Sequence, residues 1–528
     1  MQLENITVDK KMADHVRQNP NDLALEFGAY RLNWKKLNEQ TDCIAIALIE
    51  KGIKKGTHVG LFGTNSLNWV CTYLALAKIG AVSVLINFNN KKEQICQMLN
   101  YADIAYLCYG DGYKEQDFNE MADELRCQKE HAHIKYIPIG EKSCGLWKEK
   151  GYEEQEYQKL AVYKSEVKSS DFLSMIFTSG TTAQPKGVLL TQYQMLNIAA
   201  QAASIMKWSK SDKICLALAL FHCFGLSTGL LAGLCSGASV CLLPGFRSTQ
   251  VLEAIETYKC TVINGVPSMF LALLEHADYE KYDLSSLKSG IIAGSGVRSQ
   301  DYVRITSSLK IPCLHQSYGQ TEASPSITFS LCEDSREIKA VSVGRVMEHM
   351  ELRITDKCGK VVSAFVDGEV QIKGYNVMQH GYYKKDEETA LAFSKDGWLK
   401  TGDIGHLDED GNLFITGRIK DIIIRCGENI SPKEIEEVIS EYSGIKDVKV
   451  FGIPAEIVQE EIVACIVAEQ VLLLEDLKGY LRRRLPDYKL PKYIYECKEF
   501  PLQANGKLDI GKMKEHAIKE KEKTILSL

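Results

Sequence analysis

From Thr57 onward, short apolar runs alternate with longer segments of mixed polarity. THVGLF (57–62), AVSVLI (81–86) and IAYLCY (104–109) predict strands. Between them, Ser66 to Ile79, closed by Gly80, predicts an amphipathic helix, and Lys91 to Tyr101 predicts a second helix. That rhythm is the signature of a parallel sheet with crossover helices. The charged stretch from about Asp111 to Ser170 is less regular and predicts a passage over the surface, after which the rhythm resumes from Phe172 to about Ile292. Beyond Val341 the elements shorten. ELRITDKCGKVV and HLDEDGNLFITGR predict antiparallel hairpins, the second turning at Asp410-Gly411, since DEDGN departs from the calcium-loop pattern. Ser431-Pro432-Lys433-Glu434 supplies an N-cap, a first-turn proline and a capping-box glutamate, so a helix is expected there. Strands follow at VKVFGI and EIVACIVA, then a helix from Glu475 to Leu485. The expected fold class is α/β, with a large N-terminal domain (1–419) of parallel-rich βα sheets plus a β-rich lobe. A small α+β domain (420–528) completes it, with the boundary placed at Lys420.

Composition narrows the classes. With 528 residues, 45% hydrophobic and 25% charged, the chain is long enough for a few domains and too apolar for disorder to be its main description. A net charge of −6 gives no global drive towards nucleic acid or an anionic membrane, so any polyanion must be held locally and no nucleic-acid partner is expected. The 17 cysteines form no CxxC pair and lack zinc-ligand spacing, and the N-terminus MQLENITVDKKMADH has no apolar signal core. Free thiols in a reducing cytoplasm are expected. Ile214 to Leu243 is apolar enough to suggest a membrane span, but His222, the glycines at 225, 229 and 233, and Pro244 suit a buried strand, loop, helix and strand. Peripheral membrane contact and oligomeric state are left open.

The segment with most chemistry is Ser174 to Leu190, SMIFTSGTTAQPKGVLL. Its hydroxyls at Thr178, Ser179, Thr181 and Thr182, with the backbone N–H groups freed by Gly180, suit phosphate oxygens, and Lys186 adds a point charge. It is not a Walker A loop, and on its own a flexible strand-to-strand loop fits as well.

TSGTTAQPKGV resembles the signature loop of the adenylate-forming superfamily, which includes acyl-CoA synthetases, luciferases and non-ribosomal adenylation domains. The other motifs follow in that family's order: LFHCFG (220–225), IIAGSGV (291–297), YGQTE (318–322), TGD (401–403), GRIKDIIIRCGENISPKEIE (417–436) and NGK (505–507). The resemblance implies that a carboxylate and ATP form acyl-AMP and pyrophosphate, after which a thiol, usually of coenzyme A, attacks the adenylate. It implies that Thr321 bonds the α-phosphate and that Glu322 holds Mg²⁺. Tyr318 and Gly319, with the backbone of Gly294, Ser295 and Gly296, frame adenine, while Asp403 and Arg418 hold the ribose. Lys507 stabilises charge as the anhydride forms, Lys420 is the hinge of a mobile small domain, Gly427 borders the pantetheine tunnel, and His222 sits at the mouth of the acyl pocket. As isolated residues, Asp403, Arg418 and Lys507 are ordinary surface charges, and His222 suits a core histidine.

Both obstacles to the reaction are electrostatic, because a carboxylate is a poor electrophile and ATP repels it. Lysine charge and a hard cation address both. The chain departs from the family pattern at Ala183, where glycine is usual, and after Lys507, where Leu508-Asp509-Ile510-Gly511 replaces basic residues. The second departure weakens the case for coenzyme A phosphates, although Arg425, Lys489 and Lys492 are further candidates. No aspartate lies between Leu220 and Ser227 to pair with a substrate ammonium, which disfavours α-amino acids. LFHCFG, GVPSMF (265–270) and IIAGS look most like medium-chain acyl-CoA synthetases. Glycine, alanine and leucine around 225–238 would give an apolar channel in which each buried methylene gains roughly 0.8 kcal/mol. Aryl acids, a carrier-protein phosphopantetheine as acceptor, a catalytically silent acyl- or AMP-binding protein, and luciferase chemistry are the alternatives.

Overall fold

A computed structural model describes residues 1–140, 151–178, 186–425, 428–455, 458–470, 472–502 and 508–526. The chain folds into two compact units, Met1–Glu351 with Ile372–Leu399, and Leu352–Gln371 with Lys400–Leu528. The boundary expected at Lys420 falls within the second unit, on a 3₁₀ turn, Ile419–Asp421.

The first unit contains two large sheets. In one, the expected strands appear as His58–Phe62, Val82–Ile86 and Tyr106–Tyr109, all parallel, joined by parallel Lys135–Pro138 at one edge. At the other edge, parallel Phe172–Thr178 is followed by antiparallel Lys186–Thr191. The second sheet has nine strands, with Leu23–Phe27, Ser239–Leu242, Lys213–Leu216, Val262–Gly265, Ser289–Ile292 and Cys313–Gly319 running parallel in that spatial order. Antiparallel strands close both of its edges. The apolar segment from Ile214 folds as expected into a strand, a helical stretch from Cys223 to Ser236 and a second strand. No helix among the described residues is long and apolar enough to cross a membrane.

Three expectations for this unit are corrected. The helix Leu67–Lys78 starts where predicted, with the Ser66 hydroxyl accepting from Trp69 N, yet it is buried on every face rather than amphipathic. Helices Val8–Gln18 and Trp34–Glu50 cover the side that would otherwise meet water. Its single lysine, Lys78, survives burial by donating to Asp42 at 2.6 Å and Asn38 at 2.8 Å. The 111–170 stretch is more than surface passage, for it supplies an edge strand and the helices Phe118–Cys127 and Glu154–Glu166. The thiols are not all free, because Cys313 and Cys332 form a disulfide. The hairpin of Cys313–Gly319 and Ser326–Phe329 brings their Cα atoms within 5.4 Å.

In the second unit, a four-stranded sheet carries the predicted hairpin Leu399–Leu407 and Leu413–Arg418, with Gly411 at φ +79° and Asp408 accepting from Asn412 N at 2.7 Å. A second sheet joins the long antiparallel pair Ile445–Ala455 and Gln459–Ala468, flanked by Ile423–Arg425 and Tyr493–Glu496. The helix Pro432–Ser440 begins at Ser431 as predicted, without the capping box. The Ser431 hydroxyl donates instead to Thr416 O at 2.7 Å, and Glu434 accepts from Lys489 at 2.6 Å.

Candidate active site

In the first unit the motifs gather at the carboxyl ends of parallel strands. LFHCFG follows Lys213–Leu216, GVPSMF begins at the end of Val262–Gly265, Gly294-Ser295-Gly296 follows Ser289–Ile292, and Tyr318-Gly319 ends Cys313–Gly319. Ile292 pairs with Gln316, so Gly294 and Tyr318 lie at matching depth on neighbouring strands. Gly294 has φ +87°, and a Cβ on Gly319 would fall 1.8 Å from Pro325 O, so both positions need glycine. Gly294, Ser295, Gly296 and Gly319 are exposed, and Tyr318 is half-buried. In an open α/β sheet this edge is where ligands bind.

The hydroxyl-rich loop spans a hairpin, with Thr178 and Lys186 opposite each other at its mouth. Ser179, Gly180, Thr181 and Thr182 lie outside the described residues. The Lys186 ammonium sits over the ring of Tyr382, 4.8 Å from the centroid, and the Tyr382 hydroxyl donates to Glu322 Oε1 at 2.8 Å. One phenol therefore links the cation and the carboxylate. Burial, and then the adjacent Glu322, push the Tyr382 pKa far up, so it remains a donor. Thr321 and Glu322 share a one-turn 3₁₀ element, Thr321–Ala323. Met378 N donates to Glu322 O at 2.8 Å, and Asn376 Nδ2 to Ala323 O at 2.6 Å and Ser326 O at 2.8 Å, so the 376–382 segment braces the turn from behind.

Cys223 of LFHCFG lies 3.4 Å from the Thr321 hydroxyl, which joins that motif to the same edge. His222, half-buried, caps the following short helix through its backbone and packs its ring on Phe221 at 4.5 Å. The segment is held by Asn65, 3% exposed, which accepts from Leu220 N at 3.0 Å and donates to Leu218 O at 2.9 Å and Leu243 O at 3.0 Å. Neither Asn65 nor Tyr382 is among the residues the sequence singles out. A turn asparagine after a strand and a tyrosine in a GYY triplet offer little signal there. The glycines at 229 and 233 pack closely against the sheet. A Cβ would come within 2.6 Å of Leu216 and 2.7 Å of Val240, respectively.

In the second unit, Asp403 and Arg418 are register partners on adjacent strands and form an ion pair at 2.9 Å, with Asp403 buried and Arg418 56% exposed. Asp403 N donates to the Thr401 hydroxyl at 3.1 Å, within the strand. Lys420 is exposed. The proposed phosphate helpers have carboxylate partners: Arg425 and Lys492 pair with Glu461 at 3.2 and 2.7 Å, and Lys489 with Glu434 at 2.6 Å. Asp509 accepts from Lys512 N at 3.1 Å, at the start of helix Ile510–Leu526. Lys507 and Gly427 lie outside the described residues.

Motif-bearing carboxyl ends beside a hydroxyl-rich hairpin define a nucleotide-using α/β enzyme. The chain belongs to the AMP-binding enzyme family, whose main domain matches residues 12–383 and whose C-terminal domain matches 434–507. Within it, acyl-CoA synthetases are among the relatives. YngI of Bacillus subtilis, named for acyl-CoA synthetase activity, is 35% identical over 498 residues, 90% of each chain. The mitochondrial medium-chain acyl-CoA ligase ACSF2 of Danio rerio is 32% identical, covering 98% of this chain and 89% of its own. Among solved structures, ATP-bound MatB from Rhodopseudomonas palustris shares the fold, with a TM-score of 0.84 at 22% identity, over 97% of this chain and 99% of that one.

Proposed function

We propose that this acid–thiol ligase activates a medium- or long-chain fatty acid as acyl-AMP, releases pyrophosphate and passes the acyl group to coenzyme A. The observation that carries the reading is the Lys186–Tyr382–Glu322 chain at the mouth of the hydroxyl-rich hairpin. Lys186 offsets charge on the β- and γ-phosphates, residues 178–182 donate hydrogen bonds to their oxygens, and Thr321 holds the α-phosphate. The Glu322 carboxylate is a hard oxygen donor that fits Mg²⁺, which characteristically takes one or two carboxylates beside phosphates and water. When bound, that ion supplies charge neutralisation on the triphosphate.

Tyr318, Gly319 and the 294–296 backbone take adenine, and the Asp403–Arg418 pair takes the ribose hydroxyls. Lys507 stabilises the charge that develops on the bridging oxygen. Lys420 absorbs the backbone rotation between half-reactions, Gly427 leaves room for pantetheine, and His222 orients the acid. Asp509, whose departure from the family pattern pointed towards a carrier protein, has a task of its own as a helix cap, so coenzyme A is retained as the acceptor. We place the enzyme in the cytoplasm on the strength of the free thiols among the described residues, with the Cys313–Cys332 disulfide as the observation that weighs against it.

The test is pyrophosphate release with Mg-ATP across acetate, hexanoate, octanoate, palmitate, benzoate and coumarate, with and without coenzyme A. Turnover on octanoate-like acids that rises with coenzyme A is expected. A single equivalent of pyrophosphate regardless of coenzyme A would transfer the acyl group to a carrier protein, and turnover confined to benzoate or coumarate would make the substrate an aryl acid.

A further inference from the structure

Cys313, His315 and Cys332 bring two sulfurs and an imidazole nitrogen within 4.8 Å of one another, at the end of the Cys313–Gly319 strand away from Tyr318. Six residues of extended chain separate the cluster from Gly319, on the order of 20 Å. His315 is 1% exposed, and its Nδ1 lies 2.6 Å from Ser330 O. A carbonyl only accepts, so Nδ1 carries the proton and Nε2 keeps its lone pair, which faces Cys313 Sγ at 3.0 Å. A disulfide sulfur offers that lone pair no proton. A metal ion would accept it, and a histidine ligand fixed through its other nitrogen by a carbonyl is the usual outer-shell arrangement at metal sites.

We propose that Cys313, His315 and Cys332, once the disulfide is reduced, bind one thiophilic divalent cation of the zinc class. Two thiolates and an imidazole are the donors zinc prefers, and three protein ligands leave a fourth position for water on the side where Cys332 is exposed. A small dithiol delivers two electrons and two protons to the sulfur–sulfur bond and leaves as its own cyclic disulfide. Cation binding then releases two thiol protons to solvent, and the neutral imidazole releases none. The bound ion joins the start of one strand to the segment just past its hairpin partner, at the end of the hairpin opposite Thr321 and Glu322.

The experiment titrates dithiol-reduced, chelator-stripped full-length protein with Zn²⁺ against a chromophoric chelator, and repeats the titration with Co²⁺. Wild type is expected to take one tight equivalent and to show thiolate-to-cobalt absorption in the near ultraviolet. Cys332→Ser, at an exposed position, should bind at least tenfold more weakly and lose most of that absorption, and His315→Asn should bind at least tenfold more weakly. The oxidised protein should bind none at this affinity. No tight equivalent in reduced wild type, or equal binding by Cys332→Ser with an unchanged melting curve, overturns the proposal.

Discussion

Tyr382 joins the two charged residues of the proposed phosphate end, because its ring faces Lys186 while its hydroxyl holds Glu322. Tyr382→Phe keeps the ring and removes one hydrogen bond to a carboxylate, an interaction contributing about 1.5–3 kcal/mol. Adenylation followed by pyrophosphate exchange should slow by about tenfold or more, while thioester formation from supplied acyl-AMP stays near wild type. Equal slowing of both steps would remove Tyr382 from the phosphate end. Asn65→Ala would strand three backbone groups around LFHCFG and should destabilise the protein by about 3 kcal/mol, read from urea unfolding. Lys186, Thr321 and Glu322 were legible in the sequence because each lies in a compact motif. Tyr382 and Asn65 were not, since each acts on a residue 60 or more positions away and local spacing holds no trace of such a contact.

At the scale of elements, strands announced themselves through continuous apolar runs, and the 399–418 hairpin through its Asp-Gly turn, whereas ELRITDKCGKVV yields only an isolated Thr355–Val361 bridge because Met350–Thr355 pairs with Gly368–Gly374. The burial of Leu67–Lys78 was hidden because a helix's outer face shows in the sequence only if it meets water, and here neighbouring helices replace the water. The capping box at Ser431 failed for a related reason, as tertiary partners claimed both of its side chains. Helix Val8–Gln18 is tied to the 232–236 helix by His15, whose Nε2 lies 2.6 Å from Leu234 O and whose ring stacks on Trp34 at 4.3 Å. Burial lowers the His15 pKa below its ordinary 6.5, so the unfolded chain binds that proton more strongly than the folded one. The stability the neutral ring provides is complete above 6.5 and is lost as pH falls towards the depressed folded value. Melting temperature should therefore drop between pH 7.5 and 5.5, and His15→Gln should show a smaller drop.

Over the whole molecule, the two half-reactions should respond separately to residues of the C-terminal region. Lys507→Ala is expected to cripple adenylation and spare thioester formation from acyl-AMP, while Gly427→Leu should do the reverse. Quenched-flow measurement of each step distinguishes them, and equal loss of both steps in Lys507→Ala would argue against a lysine that leaves the site. The order of domains was legible because family motifs run along the whole chain. The division of the β-rich lobe was not, since Leu352–Gln371 joins the second unit across an intervening return to the first. The nine-stranded sheet also has a rim at the amino ends of its parallel strands. Every motif on its parallel strands follows a carboxyl end, so the opposite turns, around Lys210, Lys259 and Lys310, carry none of that chemistry. Those turns are where a fluorophore or a short peptide insert can be attached without touching the reaction, which gives the enzyme a built-in handle for immobilisation.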